Sequence, residues 1–324
     1  MLSRHFLRSK VLQAVYACEL SPIEYPQVER EFRNNIAHLN TLGVLQLSML
    51  IEFRRAAQSV IEDGMHKFMP SEAELNPSLK LVDNRFLVAL EDNFDLKKWI
   101  ETASVNWHNE YDLFRKAFTR FRDSQIYKEY LSSEQDDFLT DQLLVLQLFK
   151  FIVNEESIRA SVVERSLLWD DDYDQIAQYN YMMLRSLDET LDASTKMAVM
   201  YDTRFEKDVD DMNFALQLLR TTFADRASNQ ILIKENLKGW DFERVALMDI
   251  LLLNMAIAEL TSCPTIPERV TIDEYIELSK EFSTDRSKLF INGILDRIII
   301  ELRSAGRINK SGRGLMFIEG EKKQ

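Results

Sequence analysis

Glycine and proline are scarce in this chain, which has 8 Gly and 6 Pro in 324 residues. Sheet-rich domains need turn residues about every 8–12 positions, so this scarcity argues against an all-β fold. Cysteine is scarcer still, because Cys18 and Cys263 are the only two. Two cysteines cannot form a disulfide framework, and their spacing matches no paired metal site. We therefore expect a mostly helical protein from a reducing, cytoplasmic compartment.

Long apolar runs are also missing. The longest, such as residues 86–90, are much shorter than the ~18 apolar residues that a membrane span requires. The first ten residues alternate bases with apolar side chains and lack the continuous apolar core of a signal peptide. These patterns predict a protein without a membrane segment whose N-terminus is mature sequence.

The negative charge is unevenly distributed. The whole chain has 40 Lys+Arg against 53 Asp+Glu, a net charge of −13. Residues 21–204 hold 20 bases against 32 acids, whereas residues 1–20 hold three bases and one acid, and residues 205–324 hold 17 bases and 20 acids. An acidic segment repels phosphate backbones, so a nucleic-acid site would lie at the two ends of the chain.

Apolar residues at helical spacing predict the elements. Residues 4–20 carry one apolar stripe formed by Leu7, Val11, Ala14, Val15 and Cys18, with Arg4 and Arg8 one turn apart beside it. The same periodicity predicts further helices over residues 28–68, 97–126, 141–154, 158–168, 175–189, 210–226 and a short stretch up to 237.

The C-terminal part has the clearest helix signals. Residues 240–260 are apolar all round, which predicts a central buried helix. Thr271 precedes Glu274 at capping-box spacing, so we expect a helix to begin there. A last helix is predicted after residues 283–285; it contains Gly293, which we interpret as permitting close helix approach. From residue 303 onward the basic tail is predicted to be mobile.

No catalytic or metal-binding pattern is convincing. Only His66 follows an acid by three positions, as di-iron bundles require, and Gly64 weakens the helix there. Asp170, Asp172 and Asp174 start like a calcium loop, but the later Gly and Glu of that loop are missing. The sequence also lacks a Gly-rich phosphate loop and a nucleophile motif. We therefore expect a non-enzyme with no metal, no cofactor and no small-molecule substrate.

Two distant segments share a family pattern. Residues 4–16 have an arginine-containing start followed by Gln-Ala-Val-Tyr. Further on come W-x3-R-x4-D-x3-L at 240–253, A-E-L at 258–260, I-P-x2-V-x-I-D-E-x-I-E-L-x-K at 266–280 and S-x2-F-I-N-G-I-L-D at 287–296. In this order and at this spacing, the series resembles the NusB family of transcription antitermination factors.

The resemblance implies an all-α fold, with small helical bundles around a central helix. Family members are shorter than this chain, so a large helical insertion is expected after the first helix. We predict a discontinuous RNA-binding domain over residues 1–20 and 205–308, an acidic helical insertion over 21–204, and a flexible basic tail over 309–324.

The resemblance also implies a function, namely binding of boxA RNA of ribosomal RNA operons together with the ribosomal protein NusE. In that role the protein would help RNA polymerase to read through terminators. Single-stranded RNA is bound by cations on phosphates and planar groups on bases. The predicted RNA-contacting residues are Arg4, His5, Arg8, Lys10, Gln13, Arg286, Lys288, Phe290 and Asn292. The resemblance places Tyr16 and Asp249 on the NusE side.

Some departures from the family pattern reduce the basic charge, and one adds to it. His5 and Phe6 stand where arginines are common, Asn254 replaces an arginine, and Arg286 replaces an acid. Other interpretations of single residues also stay open. Phe290 fits an apolar core period, and Glu259, in an apolar helix, needs a buried hydrogen-bonding partner.

Further structural interpretations concern the other family positions. Arg4 and Arg8 could form a solvated helix face, and Asp249 could form an ion pair with a neighbouring basic side chain. Trp240 and Arg244 could have structural roles.

Two alternative functions compete with RNA-dependent antitermination. One is a helical protein-interaction scaffold that uses the acidic insertion and has lost RNA binding. The other is an RNA methyltransferase with an accessory domain of this fold. A methyltransferase needs a Gly-rich α/β domain, whereas residues 21–204 are helical in pattern and contain only Gly43 and Gly64.

Overall fold

The computed structural model describes residues 2–197, 200–202, 205–237, 239 and 241–315. Over these residues the chain forms helices and contains no β-strand, which confirms the predicted all-α fold. The α-helices are α1 (Arg4–Leu20), α2 (Tyr25–Met65), α3 (Glu72–Leu75), α4 (Arg85–Asp92), α5 (Phe94–Thr102), α6 (Tyr111–Arg122), α7 (Gln125–Ser132), α8 (Phe138–Val153), α9 (Glu156–Val163), α10 (Tyr173–Ser186), α11 (Glu206–Ala224), α12 (Arg226–Asn236), α13 (Leu247–Ser262), α14 (Glu268–Phe282) and α15 (Ser287–Ser304).

The chain divides into two compact units. The middle unit comprises residues 35–201, and the terminal unit comprises residues 2–34 together with residues from 202 onward. The boundary at Asn34 and Asn35 lies within α2, beyond the predicted boundary at residue 20.

The middle unit has an aromatic core. The Phe53 ring packs edge-on against Phe118 and Phe121, with centroids 5.9 and 5.7 Å apart. The single helix predicted over residues 97–126 is wrong, because the chain breaks it twice. Ser104 adopts a φ of 51°, which no α-helix accommodates. Ser124 then begins α7 by accepting a hydrogen bond from the Tyr127 N–H.

One helix is apolar enough to resemble a membrane span. An 18-residue window of α2 has a mean hydropathy of 1.3, which passes for a span by length and composition only. However, 72% of that window is buried inside the protein. Burial of this extent is typical of a core helix in a soluble protein, and the window is weak evidence for a span.

The terminal unit is built around α13. This helix packs against α1, α11, α12, α14 and α15, and its residues 251–260 are all buried, which confirms the central helix. The predicted start at residue 240 is wrong. A 3-10 turn spans Phe242–Arg244, and Val245 is extended at ψ 135°, so α13 begins only at Leu247. Trp240 lies outside the described residues.

Two further predictions for this unit need correction. Helix α14 begins at Glu268, directly after Pro267, and not at Thr271. Thr271 points inward and donates a hydrogen bond to Glu259 at 2.9 Å, so it cannot act as a cap. Gly293 is helical, as predicted, but a Cβ placed there would meet no atom within 4 Å. The glycine therefore does not serve close helix approach.

The segment after α15 returns to the corner between α13 and α14. The Lys310 ammonium donates to the Cys263 carbonyl, and the Ser311 N–H donates to the Pro264 carbonyl, both at 3.0 Å. A Cβ at Gly314 would lie 2.2 Å from the Pro264 oxygen, so only glycine fits. The start of the predicted mobile tail thus makes specific contacts, whereas residues 316–324 lie outside the described residues.

Candidate nucleic-acid interface

Arg8 lies in the core of the terminal unit and not on its surface. Its side chain is 2% exposed, and its Nε and Nη2 atoms donate to the two oxygens of Glu259, each at 2.7 Å. Glu259 is fully buried and also accepts hydrogen bonds from the hydroxyls of Thr271 and Tyr275. These contacts identify the partner that Glu259 requires.

The electrostatics of this pair hold Arg8 in its charged form. Burial by itself lowers the pKa of Arg8, but the hydrogen bonds and charge of Glu259 outweigh burial and raise it. Nη1 of Arg8 also lies 3.2 Å from a Glu274 oxygen. A guanidinium engaged in this way cannot reach a phosphate at the surface, so we do not retain Arg8 as an RNA contact.

His5 lies between two carboxylates of α14. Its Nδ1 is 2.9 Å from Glu274, and its Nε2 is 3.0 Å from Glu281. Partial burial lowers the pKa of His5, but the hydrogen bonds to the two carboxylates raise it above the ordinary value of 6.5 overall. A protonated ring can donate to both carboxylates at once.

Arg4 is the most exposed of the predicted α1 cations, with 41% of its side chain accessible. Its Nε donates to Asp211 of α11 at 2.8 Å. The guanidinium carbons of Arg4 and Arg8 both lie 5.0 Å from the Phe214 ring centroid. Arg4 thus fastens α1 to α11 while leaving part of its guanidinium accessible.

Lys10 and Gln13 continue along α1. Lys10 is 8% exposed, and its ammonium donates to the Gln13 side-chain oxygen at 2.8 Å. Its Nζ also lies 5.4 Å from the Phe6 ring centroid. Lys10 is therefore largely withdrawn from solvent, whereas Gln13 is half-buried.

Acidic partners neutralise the α1 cations, and sequence reasoning missed most of them. In the part of the chain that the structure describes, four carboxylates contact Arg4, His5 and Arg8. Counted with the cations Arg4, Arg8 and Lys10, they give a charge of −1 with neutral His5 and zero with protonated His5. The carboxylates belong to Asp211, Glu259, Glu274 and Glu281. The sequence pointed to only one of them, Glu259, as an acid in an apolar helix that needs a hydrogen-bonding partner. The other three acids could be assigned only once α11 and α14 were placed beside α1.

The first turn of α15 presents a different surface. Arg286 and Lys288 are exposed, and within the described part of the chain neither forms an ion pair. Phe290 and Asn292 are half-buried on the same stretch. The open space beside Gly293 extends this surface along the helix. The start of α15 therefore combines two cations, an aromatic ring and a glycine with open space beside it.

The last turn of α14 links the two predicted RNA-contacting segments. His5 contacts Glu281, and Ser283, two residues later, hydrogen-bonds to Ser287 of α15 at 3.0 Å. The start of α1 and the start of α15 therefore flank the same turn. The structure thus brings His5 close to the segment that carries Arg286 and Lys288.

The two predicted partner-binding residues differ in accessibility. Tyr16 is 36% exposed on α1. Asp249 is buried, and its two oxygens accept hydrogen bonds from Ser283 at 2.7 Å and Ser287 at 3.0 Å. In this structure Asp249 joins α13 to the start of α15, which supports the interpretation of a local structural role. Its partners are two serine hydroxyls and not a basic side chain.

Asn254 also has a structural role. It is buried, accepts a hydrogen bond from Asn229 at 2.9 Å and donates to the Thr222 carbonyl at 3.2 Å. A neutral amide satisfies these neighbours without adding a charge to the core.

Comparisons with known proteins point to one family. A family model described as the NusB family matches residues 175–299, from α10 to near the end of α15, and does not extend to α1. Three relatives bear the name transcription antitermination protein NusB. The protein from Salinibacter ruber is 35% identical over 128 residues, covering 40% of this chain and 80% of that relative.

The other two matches are shorter. The relative from Chloroherpeton thalassium is 33% identical over 117 residues, covering 36% of this chain and 56% of its own length. The relative from Geotalea uraniireducens is 44% identical over 86 residues, covering 26% of this chain and 59% of its own length. The matched part of this chain thus spans little more than half of these two relatives but four-fifths of the first. With that coverage and identity, on an all-α unit around a buried central helix, the chain belongs to the NusB family.

Proposed function

We propose that this protein is a non-enzymatic, cytoplasmic transcription antitermination factor. It binds boxA RNA of ribosomal RNA operons together with the ribosomal protein NusE, and it helps RNA polymerase to read through terminators. Family membership supports the antitermination role. The observation that carries the RNA-binding part is the exposed pair Arg286 and Lys288 beside Phe290 at the start of α15.

The proposed RNA contacts are chosen by the solvent accessibility of the side chains. Arg286 and Lys288 bind phosphates, and Phe290 stacks on a base. Asn292 donates or accepts hydrogen bonds at a base edge. The flank of the site consists of Arg4, His5 and Gln13, which are accessible in part. Arg8 and Lys10 are withdrawn from solvent and hold α1 in place.

NusE binds on the side of Tyr16, whose ring is partly exposed on α1. Asp249 acts on this arrangement indirectly, because its carboxylate fixes the start of α15 through Ser283 and Ser287. The proposed complex therefore uses α1 for the protein partner and the start of α15 for the RNA.

Titration of fluorescent boxA RNA, followed by anisotropy with and without NusE, tests the proposal. We expect preference over a scrambled RNA and tighter binding with NusE. The double variant Arg286→Glu/Lys288→Glu should weaken binding and reduce the slope of log affinity against log salt by about 0.7 for each phosphate that is no longer neutralised. Lys207→Glu/Arg307→Glu is the matched control, because it reverses two exposed cations elsewhere on the same unit. Equal affinity for boxA and scrambled RNA would refute RNA recognition.

One observation favours the scaffold alternative, namely the neutralised cation cluster of α1. If RNA binding has been lost, antitermination should persist in Arg286→Glu/Lys288→Glu. This variant is a better discriminator than reversal of Arg4 and Arg8, because a glutamate at position 8 would face Glu259 in the core. Loss of antitermination in the double variant, with the control unaffected, would exclude the scaffold.

A further inference from the structure

The middle unit contains a large groove. It lies between the C-terminal end of α2, the segment that follows it, and helices α6 and α7, and its volume is about 1060 Å³. This volume lies slightly above the range of roughly 300–1,000 Å³ typical of ligand sites. Its apolar lining residues include Val60, Ile61, Phe118, Tyr127 and Leu131. The groove can therefore accept apolar side chains.

One wall of the groove is basic. Arg115 of α6 is engaged internally, since it donates to Ser59 at 2.8 Å and to Asp63 at 2.7 Å. Lys116 and Arg122 on the same helix are exposed and form no ion pair among the residues that the structure describes. Helix α6 holds four bases and one acid, although residues 35–201 as a whole hold 17 bases and 28 acids. The wall thus presents two cations without counterions on an otherwise acidic unit.

An exposed apolar patch borders the groove. Phe68 and Met69, just after α2, are 96% and 82% exposed, and Leu75 and Leu79 are 55% and 46% exposed. Their chain neighbours Lys67, Glu74 and Ser78 line the groove. Several large apolar side chains left exposed on one short stretch beside a groove are typical of an interaction site. The patch enlarges the apolar surface beyond the groove itself.

We propose that this groove docks an acidic amphipathic segment of a partner protein. The apolar face of that segment covers Phe68 and Met69 and enters the groove, while its carboxylates pair with Lys116 and Arg122. Helix-in-groove recognition combines these two elements. The site is independent of the RNA-binding surface proposed for the terminal unit.

Two other occupants fit this surface less well. A second copy docked symmetrically would place the same cationic wall and Lys67 on both sides of the contact, and like charges across an interface are costly. A phosphate backbone would pair with the cations but would leave the exposed apolar side chains of Phe68 and Met69 uncovered. An acidic amphipathic segment satisfies both the cations and the apolar surface.

Binding of a synthetic probe to the full chain tests the docking site. The probe is a fluorescein-labelled peptide of about 14 residues, with Leu and Phe on one helical face and Glu on the other. We expect micromolar affinity. Lys116→Glu/Arg122→Glu and, separately, Phe68→Ser/Met69→Ser should each weaken binding about tenfold or more. The matched control Lys98→Glu/Arg185→Glu reverses two other exposed cations of the middle unit and should bind as the wild type does.

The alternatives give distinct results. Absence of probe binding, or equal binding of a probe with Lys in place of Glu, overturns the proposal. So does self-association that Phe68→Ser/Met69→Ser abolishes, which would assign the groove to a second copy. Binding of single-stranded RNA that depends on Lys116 would assign it to RNA. None of the groove variants should change boxA affinity, so failure here leaves the proposed antitermination function intact.

Discussion

The two basic segments of the terminal unit resemble each other in sequence but differ in their surroundings. On α1, Arg8 is buried against Glu259 and Arg4 is paired with Asp211. On α15, Arg286 and Lys288 are exposed and form no ion pair with the described residues. The comparison teaches that the number of bases in a segment does not measure its capacity to bind phosphate. That capacity depends on whether carboxylates of the same protein already pair with those bases.

The largest expected effect concerns the buried pair. Arg8→Met leaves Glu259 charged and uncompensated in the core, and breaking a buried ion pair in this way costs about 3–5 kcal/mol. Urea denaturation followed by circular dichroism measures this loss of unfolding free energy. Lys207→Met, an exposed substitution on the same unit, should change it by at most about 0.5 kcal/mol.

The double variant Arg8→Met/Glu259→Met sharpens the comparison. Removing both charges should recover much of the stability, because apolar side chains of similar volume can replace a buried pair. Since Arg8 does not reach the surface, the folded double variant should keep the salt dependence of RNA binding. A lower salt slope in this variant would show that Arg8 contacts phosphate after all.

The next effect concerns the aromatic ring on α15. Phe290→Ala should weaken boxA binding by about 1–3 kcal/mol, the typical contribution of one stacked base. Phe290→Leu keeps most of the apolar packing but removes the ring, so it should lose RNA affinity while retaining stability. The neighbouring Leu289→Ala is the control, because Leu289 is 75% exposed and lacks a π surface. Wild-type affinity of Phe290→Leu would argue that the ring serves only the core.

Apolar sequence patterns located the helices of the terminal unit, either by a stripe or by uniform hydrophobicity. The bounds of α1 were predicted correctly, and the central position of α13 followed from its uniform hydrophobicity. The starts of α13 and α14 were missed, because they depend on local backbone turns at Val245 and Pro267 that apolar period does not report.

The candidate site was harder to predict than the fold. Sequence alone treated Arg8, Lys10, Arg286 and Lys288 alike, because all four are bases within or beside the segments that match the family. Their burial depends on acids that are distant in sequence; Glu259 is 251 positions from Arg8. Glu259, an acid within the apolar stretch of α13, was the one signal available, and it indicated a buried partner without identifying it.

A smaller effect is expected at Gly293 of α15, where an added Cβ would meet open space. Gly293→Ala should raise unfolding free energy by about 0.8–1 kcal/mol, because alanine favours the helix and its methyl group meets no neighbour. The same methyl group narrows the space beside Phe290 and Asn292, so boxA affinity should fall as stability rises. Unchanged affinity would place the RNA elsewhere on α15.

The smallest expected effect is the pH dependence of His5, the one α1 group that can change its charge near neutrality. Its folded pKa is raised above 6.5, so the stabilisation by Glu274 and Glu281 is complete below 6.5 and is lost as the pH rises through the folded value. The effect on stability should be at most about 1 kcal/mol, because the pair is partly exposed.

The affinity for RNA should change with pH in the same direction as the stability. Deprotonation changes the local charge of the α1 cluster from zero to −1, so affinity for boxA falls as the pH rises, and added salt reduces the difference. His5→Gln should remove the His5 contribution to both dependences, whereas His108→Gln, at an exposed position in the middle unit, should leave them unchanged. An unaltered pH profile in His5→Gln would mean that the α1 carboxylates do not influence the RNA, and the difference between α1 and α15 would then rest on burial alone.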